Sequence, residues 1–254
     1  VLPFNGAREM RPLRFGTNIN IADIYFLIDT TGSMGGPITN VQNSLSMLST
    51  EIIARIPDAQ LGVGQFKDFP FGSYGDDGSF LGTRDMAYQN EQDITANVSS
   101  VQAALGRLSA SGGFDGPESH VAAMFFTATG MGGNYSYTDG MRWDLAPKSC
   151  TVVPDEVGTR RGYPCFRPGA LPIVVMVTDV DMHNDPTGAD TYTGISRAPP
   201  AFAQALDAMR GLGARFIGVA VNGGGRGDME EVARQTGTVD GSGMPLVYDA
   251  SGMP

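Results

Sequence analysis

The chain has two histidines and two cysteines in 254 residues, and neither type stands in a catalytic pattern. No Gly-x-Ser-x-Gly elbow and no Cys/His arrangement is present, so the sequence offers no nucleophile with its base and reads as a non-enzyme. A lone Mg²⁺ ion without a second base gives hydrolysis little support. The glycine run Gly223 to Gly225 is not followed by a Walker lysine and serine, which excludes a P-loop. Neither cysteine has a Cys or His partner at zinc-site spacing. Charge is scarce as well, at 17% of residues. Lys+Arg 17 against Asp+Glu 27 leaves a net charge of −10, which argues against nucleic acid or an anionic membrane as partner. No apolar run approaches the roughly 20 residues of a membrane-spanning helix, so membrane insertion by this segment is not expected. Repeats, low-complexity tracts and a signal peptide are all lacking. The chain begins at Val1, which suggests a processed or excised segment.

What is abundant is glycine and proline, 35 and 16 residues, the composition of long ordered loops. The length fits one large domain, or a domain with an insertion, and supports a sizeable core. Cys150 and Cys165 lie close together in a loop-like stretch. A short disulfide loop in an oxidising compartment is the preferred reading, with two free buried thiols as the alternative.

The organising stretch is Ile21 to Met34. Ile24 to Ile28 is an unbroken apolar run, the pattern of a strand buried on both faces of a parallel sheet. It stops at Asp29, and Thr31, Gly32 and Ser33 follow at once. Pro37 then opens a helix, where its missing N–H costs nothing. A carboxylate and two hydroxyls therefore sit on the turn after a strand's carboxyl end, where open α/β sheets place ligands. Such hard oxygen donors suit Mg²⁺ or Ca²⁺. A simple helix-capping turn is the competing reading.

Further along, Val41, Leu45, Leu48, Ile52 and Ile56 mark one helix face within 38–56, and Gln60 to Phe66 reads as a strand. Asp68 to Phe80 is turn-rich, with Asp76 and Asp77 in a solvated loop. Arg84 to Asn90 reads as a short edge strand and Asp93 to Leu108 as a helix capped by Asp93. The glycine-rich turn before His120 leads into another helix, with His120 on its surface or in the core. Residues 129–170 form a long connection containing Trp143 and both cysteines, a length that is usually functional or an insertion. Leu171 to Thr178 is a second fully buried strand ending at Asp179. A helix over 201–212, a strand over 214–221, a short helix capped by Asp228 and an edge strand over 245–248 complete the pattern. Strands alternating with helices predict a doubly wound, mainly parallel sheet. Residues 1–20 read as a leader and 21–254 as the domain. Arg226-Gly227-Asp228 resembles an adhesion tripeptide but reads as a turn and helix cap.

Asp29-Thr30-Thr31-Gly32-Ser33, Asp115-Gly116-Pro117-Glu118 and Asp179, in that order, resemble the metal-ion-dependent adhesion site of von Willebrand factor type A domains. The motifs are most similar to those of the I-like domain of integrin β subunits, over about residues 21 to 250 apart from the long loop. The first motif of that family is Asp-x-Ser/Thr-x-Ser, its glutamate segment is Asp-x-Pro-Glu, and a His four residues past the strand-end Asp is matched by His183. The resemblance implies a von Willebrand factor A (Rossmann-like) fold. It also implies that Thr31, Ser33 and Glu118 bind Mg²⁺ (or Mn²⁺ or Ca²⁺), with Asp29 and Asp179 acting directly or through water. A second, calcium site would use Asp68, Asp115, the Pro117 carbonyl and Glu118, although Gly113 stands where the family has Asn. A third site is not expected, because Gly36 and Pro37 replace its acidic residues. His183 itself reads as a structural hydrogen-bonder by preference, with the rim of the metal site as the alternative.

The implied function is a metal-dependent adhesion module, extracellular or on a cell surface, including a bacterial outer surface or periplasm. Its ion would take an Asp or Glu carboxylate of a partner protein, with the loops 68–80 and 129–170 setting specificity. The alternative is an intracellular scaffold or assembly subunit on the same fold. In the resembled domains a helix after the last strand moves with ligand affinity. Asp249 to Pro254 is too short to form it, so the chain as given lacks that lever or the lever lies in a removed part, and simple one-site binding is expected of this segment.

Overall fold

The computed structural model describes residues 19–154 and 156–250, and the side chains of 44–50 and 53 are not described. The expected leader and the final residues therefore lie outside the described set. In chain order the elements are β1 (Ile21–Asp29), α1 (Gly35–Arg55), β2 (Asp58–Phe66), β3 (Gln89–Thr95), α2 (Val98–Leu105) and α3 (His120–Thr129). Then follow β4 (Gly133–Tyr137), β5 (Arg142–Leu145), β6 (Leu171–Thr178), β7 (Ile195–Ser196), α4 (Phe202–Leu212), β8 (Arg215–Ala220), α5 (Arg226–Gln235) and β9 (Val247–Asp249).

The main sheet has six strands in the order β3-β2-β1-β6-β8-β9. Every pairing is parallel except β2 with the edge strand β3. Strand order reverses between β1 and β6, which makes their carboxyl ends the switch point of a doubly wound sheet.

The period-2 alternation of β1 assigns its two faces. Ile24, Phe26 and Ile28 pack with α1 and α2, through Ile38, Val101, Ala104 and Leu105. Tyr25 and Leu27 face α3, α4 and α5, through Val121, Met209 and Met229. Both faces are covered, so the strand reads as a continuous apolar run. Gly64 on β2 is required by its neighbour: a Cβ there would collide with the Tyr25 ring, whose hydroxyl bonds Tyr88 and Asn90 at 2.9 Å each.

Several boundaries differ from the sequence reading. The edge strand is Gln89–Thr95, and Arg84 makes only an isolated bridge to Asp77. This edge strand is polar, with Ile94 its buried apolar residue, and so carries little apolar signal. Asp93 accordingly lies in the strand, paired with Lys148 Nζ at 2.7 Å, and the helix begins later, at Val98. Its cap is Asn97, which accepts the Ser100 N–H at 3.2 Å. Gly225, not Asp228, precedes α5. Asp228 lies in the first turn and accepts the Met182 N–H at 3.1 Å. Asp76 is buried, accepting backbone N–H groups of Gly78, Phe80 and Leu81, whereas Asp77 is exposed.

The long connection is not structureless. It carries β4 and β5, which form a second, antiparallel sheet with β7. Tyr135 and Trp143 lie opposite each other in that sheet and pack on Phe69. The loop is closed by the disulfide Cys150–Cys165, with Cα atoms 5.5 Å apart.

Candidate metal centre

Asp29 ends β1 with no exposed surface. Its Oδ1 accepts the Thr31 N–H at 2.9 Å and the Thr31 hydroxyl at 2.7 Å. Its Oδ2 accepts the Thr178 hydroxyl at 2.7 Å, from the end of β6. Ser33 is exposed in the single 3-10 turn Gly32–Met34 and donates to Asp179 Oδ1 at 3.0 Å. The ends of β1 and β6 are thus bridged twice by hydroxyl–carboxylate pairs.

Glu118 reaches the same region from the turn before α3. Its N–H donates to the Asp181 carbonyl at 3.1 Å, and its own carbonyl accepts the His183 N–H at 2.8 Å. The side chain is buried and Oε2 accepts no hydrogen bond. Gly113, at φ +72°, makes room for it, since a Cβ there would collide with Glu118 Oε1 and crowd Thr31. Burial, and next the charges of Asp68, Asp29 and Asp115, push the Glu118 carboxyl up to about 12. Burial also raises Asp29, against the opposing bonds from Thr31 and Thr178. The same cause raises Asp179. Lys67 is the basic side chain buried nearby. Its Nζ lies 3.6 Å from Asp85 Oδ1 and donates to Ser111 Oγ at 2.5 Å. Burial lowers its pKa, while the charges of Asp85, Glu118 and Asp29 hold it up. The cluster holds more carboxyl groups than cationic partners, so a bound cation is what would let them ionise together.

Beside Glu118 lies a second group, Asp68, Asp115 and His183. Their ligand atoms all fall within 4.8 Å of one another, and the group could hold a metal ion. His183 Nε2 stands 3.1 Å from Asp115 Oδ2 and 3.3 Å from Asp68 Oδ2. Asp68 is fully buried, with Oδ1 accepting from Tyr192 and from the Phe69 N–H. Asp29, Glu118 and Asp179 do not form so tight a group among the described residues. An ion between them would therefore draw on the Thr31 and Ser33 hydroxyls and on water.

The residues named from sequence thus converge on one end of the sheet. Pro117 lies half-buried on the turn between Asp115 and Glu118. His183 makes the hydrogen bonds expected of it, to the Asp190 carbonyl and to Asp115, and also stands in the possible metal-binding group; Lys67 is absent from the sequence reading. The signal for His183 was its place four residues past Asp179. A lysine directly after a buried strand carries no comparable signal. His120 is a core residue, its Nε2 2.8 Å from Thr178 Oγ1.

No protein-family model matches the chain, and no curated protein matches it significantly. The disulfide suits an oxidising compartment. No helix among the described residues is long and apolar enough to cross a membrane.

Proposed function

We propose that the chain is a metal-dependent ligand-binding module of the von Willebrand factor A type, similar to the I-like domain of integrin β subunits. The ion, Mg²⁺ by preference, is held by Thr31, Ser33 and Glu118, with Asp29 and Asp179 direct or through water. One coordination position is filled by an Asp or Glu carboxylate of a partner protein. When bound, the ion supplies a fixed positive charge for that carboxylate. The protein's residues orient it: Asp29 fixes the Thr31 hydroxyl, and Asp179 holds Ser33 at the exposed rim.

The observation that carries this reading is Glu118, a buried carboxyl with an oxygen that accepts no hydrogen bond, beside Asp29 at the sheet's switch point. Such a group fits a hard cation, because burial without a partner is otherwise costly. The sheet order, with one antiparallel edge, agrees with the proposed fold. Binding rather than catalysis is proposed because the hydroxyl–imidazole pair beside the site, Thr178 with His120, is fully buried and its hydroxyl is engaged by Asp29. The Cys150–Cys165 bond favours an extracellular or cell-surface module over an intracellular scaffold subunit.

A displayed library of acidic peptides, bound in Mg²⁺ and eluted with EDTA, tests the proposal. Enrichment of sequences sharing one Asp or Glu, lost with Ser33→Ala and Asp179→Ala protein, is the expected result. Equal recovery in EDTA sinks it.

A further inference from the structure

The Asp68–Asp115–His183 group stands apart from the hydroxyl-rich site in both geometry and chemistry. His183 Nδ1 lies 2.9 Å from the Asp190 carbonyl, an atom that can only accept, so Nδ1 carries a proton. Nε2 then faces two carboxylate oxygens, Asp115 Oδ2 at 3.1 Å and Asp68 Oδ2 at 3.3 Å. A metal-bound histidine commonly donates its other ring N–H to a backbone carbonyl in this way. The ring is fixed on both sides, 4.3 Å from the Tyr192 ring and 5.2 Å from the Tyr74 ring, nearly perpendicular to the latter.

The carboxylates are prepared in the same sense. Asp68 is fully buried, its Oδ1 is occupied by Tyr192 and the Phe69 N–H, and its Oδ2 accepts no hydrogen bond. Asp115 Oδ1 also accepts none. A proton on Nε2 lies along one N–H axis and serves one carboxylate well, whereas a metal ion meets both. Ligands held at about 2.1 Å from an ion stand about 3.0 Å apart at a right angle and about 3.4 Å apart at the tetrahedral angle. The two N···O separations fall inside that range. Calcium takes all-oxygen shells at about 2.3–2.6 Å, and an imidazole nitrogen suits Zn²⁺, Mn²⁺ and their neighbours instead.

We propose that Asp68, Asp115 and His183 form a site for a divalent first-row transition ion, Zn²⁺ or Mn²⁺, in place of the calcium site expected from sequence. This site shares none of these three residues with Thr31, Ser33 and Asp179, so it stands or falls independently of the adhesion reading.

The test uses the full chain and Asp179→Ala protein, in which the neighbouring site is weakened. The chain has two histidines, so their ring signals can be told apart by magnetic resonance. Added Mn²⁺ should broaden the His183 signals first, and Zn²⁺ should shift them and prevent that broadening. Equilibrium dialysis should show Zn²⁺ binding weakened at least tenfold by His183→Gln, with a tenfold excess of Ca²⁺ unable to displace it. Undisturbed His183 signals in wild-type protein saturated with Mn²⁺ or Zn²⁺ overturn the proposal. So does equal displacement by Ca²⁺. Both readouts are made on protein with His183 intact, so they hold even if the Gln variant does not fold.

Discussion

The Thr178 hydroxyl donates to Asp29 Oδ2 at 2.7 Å and lies 2.8 Å from His120 Nε2. The other ring nitrogen, Nδ1, lies 3.0 Å from the Glu118 carbonyl. Burial lowers His120 to about 4, so the ring is neutral at physiological pH and holds one proton. Asp29 accepts the Thr178 bond as well as two from Thr31. It therefore holds the fold together in addition to any part it plays at an ion. Asp29→Ala would leave buried donors without an acceptor, at about 1–3 kcal/mol for each. Chemical denaturation should show that loss even in EDTA, and an unchanged midpoint would show that the three bonds contribute nothing.

Ser33 and Asp179 separate ion binding from folding more cleanly. Ser33 is exposed and Asp179 half-exposed, so Ser33→Ala and Asp179→Ala should alter metal-free stability by about 1 kcal/mol or less. Wild-type protein should melt higher in Mg²⁺ than in EDTA, because an ion that binds only the folded state stabilises it by mass action. At a hundredfold excess over Kd the gain is about 2.7 kcal/mol. Both variants should lose most of that gap. Coincident wild-type melting curves in the two buffers would count against an ion at this end of the sheet.

Much of this arrangement was legible in the sequence, and the reasons are physical. β1 and β6 announce themselves because burial on both faces demands unbroken apolar runs, and each ends at its own carboxylate, Asp29 and Asp179. Glu118 was legible through its Asp-x-Pro-Glu setting. The edge strand β3 was not, because Gln89–Thr95 is nearly all polar. β4 and β5 were hidden for a related reason: each is short, with Tyr135 and Trp143 as the buried aromatic side chains, packed on Phe69. The roles of His183 and Lys67 depend on contacts with residues far away in sequence, Asp115 for the first and Ser111 for the second. No local pattern encodes such meetings.

Glu118 gives the metal-free protein a definite pH dependence. Its carboxyl is raised from 4.5 to about 12 by burial and then by the neighbouring carboxylates. The folded state therefore binds a proton that the unfolded chain releases above pH 4.5. That contribution to stability is fully present below 4.5 and is lost as pH rises toward the folded value. In EDTA the melting temperature should fall between pH 5 and 8, and Glu118→Gln should flatten the slope. With Mg²⁺ bound the ion displaces the proton, so the Glu118 contribution to this slope should vanish, and the Mg²⁺ affinity should rise with pH. Calorimetry in buffers of different ionisation enthalpy should record proton release on binding. An affinity independent of pH would contradict the assignment of Glu118 as a ligand.

Far from the site, Arg167 ties the start of the sheet to the end of the disulfide loop. Its Nε bonds Asp23 Oδ1 at 2.7 Å, its N–H bonds Asp23 Oδ2 at 2.6 Å, and Nη1 bonds Asp58 Oδ1 at 2.7 Å. Asp23 is fully buried, and burial raises its pKa against the opposing bonds from Arg167. Arg167→Met would leave a buried carboxylate without its cation, a change that costs about 3–5 kcal/mol. In a chain this long that corresponds to a fall on the order of 10 °C in melting temperature. Adding Asp23→Asn should recover part of the loss, which a purely steric role for Arg167 would not predict.

The disulfide closes a span of 15 residues, for which chain entropy predicts about 3 kcal/mol. It is not the only tether of that span. The Tyr163 N–H donates to the Thr127 carbonyl at 2.9 Å, the Ile94 N–H to the Pro164 carbonyl at 2.9 Å, and Arg167 is held by Asp23. The second half of the loop is therefore anchored without the sulfur bridge. In the first half, Val152 and Val157 are 85% and 96% exposed. β4 and β5 lie outside the bridged span and keep their own hydrogen-bonded register. Reduction should consequently open thermolysin sites near Val152 and Val157 while leaving 133–145 uncut. The melting temperature should drop by several degrees, and the shift on adding Mg²⁺ should persist, because Asp29, Ser33 and Glu118 are held by β1, β6 and the turn before α3. Cleavage spreading through 133–145, or loss of the Mg²⁺ shift on reduction, would show that the bridge supports the site itself.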